Sequence, residues 1–175
     1  MPHLVTARTR LVPITLPMLE AVLDHDKPRA EAILGAQFPG DWPNDDLVAR
    51  AFPYSRAAIR AAPDERLWGD SFVLDLHEPR VIGSVVFHGH PKDRVAEVAY
   101  GIEEGSRNQG YAIETVTACV EWALDQPGIE AVQATTFDWH VASLGVIKRL
   151  GMIQVATRES PTFGELLVFE RRKAR

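Results

Sequence analysis

Apolar residues change their period several times along this chain, and each change predicts an element. Residues 8–15 (RTRLVPIT) alternate as a short strand does, and Pro13 places that strand at an edge or an end. Thr15 stands as an N-cap, and Pro17 falls in the first turn of a helix reaching about Leu34. The apolar face of that helix is Leu19, Val22 and Leu23, resumed by Ala30, Ile33 and Leu34 after Pro28 breaks or kinks it. Beyond the turn chemistry of residues 38–43 (FPGDWP), Asn44, Asp45 and Asp46 cap a second helix that Pro53 interrupts. From Ser71 the period falls to two. SFVLDLH and VIGSVVFHGH are predicted to pair as a hairpin across Glu78-Pro79-Arg80, with residues 95–103 as a third strand. A helical face of Ala112, Val116, Cys119, Val120 and Ala123 follows and ends at Gln126-Pro127-Gly128. Residues 129–136 read as a strand and 141–150 as a short helix with Gly151 past its end; 152–157 and 165–171 read as closing strands. This order predicts a mixed α/β (α+β) sheet protein rather than a doubly wound repeat.

Composition narrows what such a domain can be. The 175 residues, 46% apolar and 25% charged, are one globular domain's worth of chain, 1–175. A formal net charge of −5 argues against nucleic acid as the main partner, because neutralising phosphates needs clustered surplus Lys and Arg. A local basic site for a small anion stays open. Cys119 is the only cysteine, so an internal disulfide and a CxxC site both fall away, and a cytoplasmic protein is expected. No run of ~18 apolar residues is present to span a bilayer. Residues 1–11 lack the apolar core of a signal peptide, so no membrane partner is expected.

Chemistry concentrates in residues 98–114, VAYGIEEGSRNQGYAIE. A loop opening a helix carries unpaired N–H groups and a positive dipole end, which together bind phosphate. Gly110 lets the backbone approach an anion, Ala112 keeps the next turn small, and Arg107 adds a full charge. Residues 105–110 have the GxxxxG spacing of a Walker A loop, but Tyr111-Ala112 stands where Lys-Ser/Thr must follow. No GxGxxG occurs, so the dinucleotide fingerprint is missing as well. Gly105 and Gly110 would equally serve tight turns, and the loop alone leaves both readings standing.

The Arg107-x-x-Gly110-x-Ala112 loop, after a strand carrying Glu97-x-x-Tyr100, resembles the acyl-CoA pyrophosphate loop of the GNAT N-acetyltransferase superfamily. Residues 135–152 (TTFDWHVASLGVIKRLGM) resemble its second motif, in which T is followed by N-x-A-S, an apolar turn and K-L-G-F. RTRLVPIT is similar to the first strand of the RimJ/RimL-like branch, the ribosomal-protein-alanine N-acetyltransferases. The resemblance spans essentially the whole chain and is strongest over residues 81–152. It implies the GNAT fold: a mixed, mostly antiparallel sheet of about seven strands with about four helices, splayed at the cofactor site. Residues 16–68 would be the helical acceptor side, and 71–157 the acyl-CoA-binding core. The implied activity is direct transfer of an acetyl group from acetyl-CoA to a primary amine, a protein N-terminus or a small molecule, without metal.

The resemblance also implies roles. Arg107, Asn108, Gln109, Gly110, Tyr111 and Ala112 would hold the pyrophosphate, Tyr111 through its backbone while its ring packs. Glu97 would be the general base, directly or through water; a glutamate on the solvent face of a half-exposed strand is the competing reading. Backbone N–H groups near Gly101 and Ile102 would meet the oxyanion. Ser143 would support the leaving sulfur, while the position of the acid that some relatives use holds Ile147. His140 stands where Asn is usual, and imidazole lacks the paired donor and acceptor of an amide. His140 and Ser143 would also serve simply to cap their helix.

Other residues suit simpler roles. His88 and His90 share a strand face with His77 on the partner strand, but no carboxylate or cysteine completes a metal set. Cys119 reads as a small buried side chain. Trp42, Tyr54 and Trp68 read as core or lid packing, and Arg171, Arg172, Lys173 and Arg175 as a solvated end. A closing strand left exposed would allow a homodimer. A non-catalytic acyl-CoA-binding sensor or scaffold of the same fold is the alternative function, and His140 is the feature that supports it.

Overall fold

A computed structural model describes residues 4–50, 52–61, 68–161 and 164–174, with the backbone alone at 46, 47, 50, 53 and 54. The chain runs β1 (Thr9–Pro13), α1 (Leu16–Leu23), α2 (Lys27–Leu34), α3 (Asp45–Arg50) and α4 (Phe52–Ala61). There follow β2 (Asp70–Asp75), β3 (Val81–Phe87), β4 (Val95–Ile102), α5 (Tyr111–Asp125) and β5 (Ala131–Thr136). The chain closes with α6 (Val141–Arg149), β6 (Ile153–Ser160) and β7 (Gly164–Arg172). The strands make one sheet ordered β1-β2-β3-β4-β5-β7-β6, antiparallel throughout except where β4 meets β5. This is the mixed seven-stranded sheet expected.

Each of the two helices expected before β2 divides in two, so the described residues form six helices where about four were expected. Thr15 caps α1 as foreseen. Asp26 then starts α2 afresh, its carboxylate accepting the Arg29 N–H at 3.2 Å, and Pro28 lies in the new first turn, so the expected interruption is a full break. Pro53 likewise lies in the first turn of α4. The end of the chain also differs. β7 inserts between β5 and β6, so β6 is the outer strand and exposes Ile153 and Val155. Arg171 and Arg172 pair with Val132 and Ala131 within the sheet, and Arg172 and Lys173 are exposed, as a solvated end would be. Arg175 lies outside the described residues.

Alternation divides the core between two faces. Val73, Val85, Phe87, Ala96 and Val98 pack with Val116, Cys119, Val120 and Ala123 of α5. Phe72 and Leu74 turn the other way, toward Leu19 and Val22 of α1, Leu34 of α2 and Phe52 of α4. Trp42 packs on Phe38 and Phe72, with centroids 6.0 and 6.2 Å apart, and Trp68 on Phe87 and Trp122 at 5.3 and 4.9 Å. The Tyr54 side chain lies outside the described set. Cys119 is wholly buried, and burial pushes its thiol up to about 12. It therefore remains a thiol and is no nucleophile. Among the described residues no helix is long and apolar enough to cross a membrane.

Two features of β4 position the site. Its ladder to β5 covers only Val95 to Glu97, paired with Ala131 to Gln133. Beyond that, β4 stays with β3 as far as Ile102, while β5 stays with β7 as far as Thr136. The second feature is a close approach at Gly83, opposite Ile102. A Cβ there would lie 2.2 Å from the Gly101 carbonyl oxygen, whereas a Cβ on Gly101 meets nothing within 4 Å. Gly83 is therefore the glycine that the packing demands, while Gly101 borders open space. Gly83→Ala is expected to cost about 1–3 kcal/mol in urea unfolding, and Gly101→Ala less than about 0.5. Equal losses would contradict this assignment.

Candidate active site

Where β4 and β5 part, a cleft of about 600 Å³ opens, lined among others by His88, Glu97, Tyr100, Thr135, His140, Ser143 and Arg158. The His88 N–H donates to the Glu97 carbonyl and the Glu103 N–H to that of Ile82, both at 3.0 Å. Positions 97, 99, 101 and 103 therefore turn their main chain toward β3. Tyr100 and Ile102 turn theirs toward the gap. Of the two oxyanion positions expected from sequence, Ile102 faces the gap and Gly101 faces Ser84 on β3, with Tyr100 taking the vacated place.

The loop from β4 into α5 turns through two left-handed residues. Asn108 and Gly110 adopt φ of +60° and +84°, and Gly110 is the N-cap of α5. Glycine meets that conformation at no steric cost. The amides of Tyr111, Ala112 and Ile113 head the helix, where no intrahelical carbonyl reaches them. Arg107 is exposed, and its Nε donates to the Ile102 carbonyl at 3.0 Å, which ties the guanidinium to the end of β4. The Gln109 side chain serves the loop itself, donating to the Gly105 carbonyl at 2.9 Å. The Tyr111 ring is buried, and its hydroxyl donates to Asp75 at 2.9 Å, so the side chain packs as expected.

Charged neighbours fix this loop from behind. Glu103 is buried and accepts the Gly105 N–H at 2.8 Å and the Ser106 hydroxyl; Arg80 donates to Ser106 Oγ at 2.9 Å and pairs with Glu103 at 3.4 Å. Arg8 does more. Its Nε bonds Glu114 at 2.7 Å, its Nη1 donates to the Gln109 carbonyl at 3.1 Å, and its guanidinium lies 4.4 Å from the Tyr111 centroid. Burial works to raise the Glu114 carboxyl, but hydrogen bonds from Thr6 and Arg8 hold it below its ordinary value. Sequence reasoning missed Arg8 as part of the site, because its partners lie more than a hundred positions away and no local spacing marks them.

On the α6 side, His140 is the helix N-cap, its Nδ1 accepting the Ser143 N–H at 3.3 Å. Imidazole thus performs the capping that asparagine would, which leaves Nε2 as the donor. The Tyr100 hydroxyl lies 3.3 Å from Ser143 Oγ and 3.4 Å from its carbonyl. Burial pushes the Tyr100 phenol up, so a protonated hydroxyl stands beside Ser143. Ile147 is buried in the core.

The opposite mouth of the cleft is built around Glu97. Its Oε1 meets Arg158 Nη2 at 3.1 Å, the Thr135 hydroxyl at 3.3 Å and His88 Nδ1 at 3.6 Å. The His88 contact above all, together with Arg158, outweighs burial and holds the carboxyl at about 2. Glu97 is therefore an anion at neutral pH but too weak a base to strip an ammonium directly. Among the described residues no three of His, Cys, Asp and Glu gather as metal ligands, and His88 faces Glu97 instead.

The central sheet is thus split between two parallel strands, with the glycine-capped α5 following β4 and an ionised cluster around Glu97. Residues 8–153 match the family model described as an acetyltransferase (GNAT) domain, and the chain belongs to that family. The uncharacterized N-acetyltransferase YjdG of Bacillus subtilis is 26% identical over 149 residues, covering 85% of this chain and 88% of its own. The ribosomal-protein-S5-alanine acetyltransferase of Vibrio fischeri has the same fold, with a TM-score of 0.70 at 10% identity over 98% of this chain and 97% of that one. RimL, the ribosomal L7/L12 alpha-N-protein acetyltransferase solved with coenzyme A, matches at 0.67 and 13% identity, over 97% and 96%.

The Glu97 cluster carries a pH signature. Its carboxyl, ordinarily near 4.5, lies lower in the fold, so its stabilisation is complete above about 4.5 and is lost as pH falls toward about 2. The stability difference between wild type and Glu97→Gln is expected to narrow over that acid range in denaturant melts. A difference independent of pH would contradict the ion pairing.

Proposed function

We propose that this protein transfers an acetyl group from acetyl-CoA to a primary amine by direct attack, with no covalent enzyme intermediate. The observation that carries this reading is the gap that opens between β4 and β5 beyond Glu97, lined by Tyr100, His140 and Ser143 and by Glu97, His88 and Arg158. The amides heading α5, with Arg107, suit a pyrophosphate, because helix N-termini and guanidinium groups both favour paired phosphate oxygens. The N–H groups of Tyr100 and Ile102 point where a thioester carbonyl would gain negative charge, and fixed donors at such a point contribute roughly 3–4 kcal/mol each. Ser143, braced by the Tyr100 hydroxyl, donates toward the departing sulfur. Glu97 acts through a neighbour or a water, since its own carboxylate binds a proton too weakly. Such relayed proton transfer contributes about 10²- to 10⁴-fold.

For the acceptor we favour a protein α-amine, supported by the fold shared with RimL and the S5-alanine enzyme. An α-amine has a pKa near ~7.7–8, so its neutral form is accessible at physiological pH.

Acetyl-CoA at about 100 times its Kd is expected to add about 2.7 kcal/mol of stability, read as a rise in melting temperature. Arg107→Glu should weaken that binding about 10- to 100-fold, since a bond to a charged group contributes about 1.5–3 kcal/mol. A thiol-release screen over N-terminal peptides, polyamines and amino acids then identifies the acceptor. Stabilisation without thiol release from any amine would instead favour the non-catalytic acyl-CoA binder. No stabilisation, with Arg107→Glu silent, would remove the reading.

A further inference from the structure

Resting on the acetyl-transfer reading, we propose that His88 is the catalytic residue that takes the proton from the acceptor ammonium, and that Glu97 is the positioning residue that orients it. The backbone sets the pair. His88 lies one step past β3, and its N–H donates to the Glu97 carbonyl at 3.0 Å, which makes the two residues direct cross-strand partners. Partners in an antiparallel ladder send their side chains from the same face. Both side chains line the cleft, and Glu97 Oε1 stands 3.6 Å from His88 Nδ1. That distance is longer than a formed charge-assisted hydrogen bond, as is common at such sites before substrate closes them. A carboxylate at Nδ1 selects the tautomer with hydrogen there and leaves the Nε2 lone pair as the acceptor.

Arg158 and Thr135 hold Glu97 Oε1 at 3.1 and 3.3 Å, which fixes the carboxylate as an orienting group beside His88. His88 keeps about half its side chain exposed, so an incoming ammonium can reach it. The charged groups facing this spot are Glu97 from β4 and Arg158 and Glu159 from β6, with β5 contributing the neutral Thr135. His90 points elsewhere, its Nδ1 lying 3.4 Å from the Pro91 carbonyl.

The step balances. His88 Nε2 receives a proton from R–NH₃⁺, and the freed nitrogen lone pair forms the C–N bond at the acetyl carbonyl carbon. The C–S bond breaks with its electron pair going to sulfur. The nitrogen sheds its second proton, the sulfur takes one, and the proton held by His88 returns to solvent, so one proton is released per turnover.

The test is steady-state kinetics on His88→Ala and the near-isosteric His88→Gln, with the best amine from the screen and with acetyl-CoA affinity measured separately by thermal shift. Both variants are expected to lose about 10²- to 10⁴-fold in kcat, to keep their affinity for acetyl-CoA within about twofold, and to lose the acid limb of the wild-type pH profile. Added imidazole should restore part of the His88→Ala rate, and Glu97→Gln should lose less than either histidine variant. If wild type turns over but His88→Ala keeps its kcat and pH profile, or the loss appears equally in acetyl-CoA binding with no imidazole rescue, the inference fails and the acetyl-transfer reading stands. If wild type itself neither binds acetyl-CoA nor releases thiol, both fail.

Discussion

Strands β4 and β5 can keep only a short ladder because each is claimed by another partner. β3 holds β4 as far as Ile102, and β7, wedged between β5 and β6, holds β5 as far as Thr136. The two lines diverge after Glu97 and Gln133. Amides that a continuous sheet would consume are left facing a gap. Everything else in the site is arranged around that opening. Tyr100 and Ser143 stand on the α6 side, and Glu97, His88, Thr135 and Arg158 on the other. The Gly83 approach, which admits no Cβ beside the Gly101 carbonyl, keeps β3 tight against β4 where support from β5 has ended.

Charge is placed locally in a chain whose net charge is −5. Glu103 and Glu114 lie close behind the loop that would take a polyanion, and each is answered by an arginine, Arg80 and Arg8 respectively. Their neutralisation leaves the field at the loop to Arg107 and the helix terminus. Around the cleft, His88 above all, with Arg158, holds Glu97 as an anion that binds a proton weakly. The same carboxylate can therefore organise protons without holding them.

Much of this was legible in the residues because it is local. The Thr15 cap, the loop of residues 105–110, the helix opening at Tyr111 and the glycine after α6 each follow from neighbours a few positions apart. The division of the N-terminal helices was half legible: Pro28 and Pro53 marked the places, but Asp26 as a fresh cap turned kinks into starts. What escaped was long-range. Arg8 reaches Glu114, and Arg158 reaches Glu97 across 61 positions. The orientation of Gly101 depends on its register with β3, and a shift of one residue reverses which amides face the gap. The insertion of β7, which exposes β6 in place of the last strand, is a choice of topology that two similar apolar runs do not encode locally.

A crystal structure with coenzyme A bound tests directly whether the gap, and not a surface groove, receives the acyl donor. The expected result places the diphosphate within hydrogen-bond distance of the amides heading α5 and the sulfur between the N–H groups of Tyr100 and Ile102 and the Ser143 hydroxyl. Coenzyme A bound outside the gap, with those amides facing only water, would contradict it.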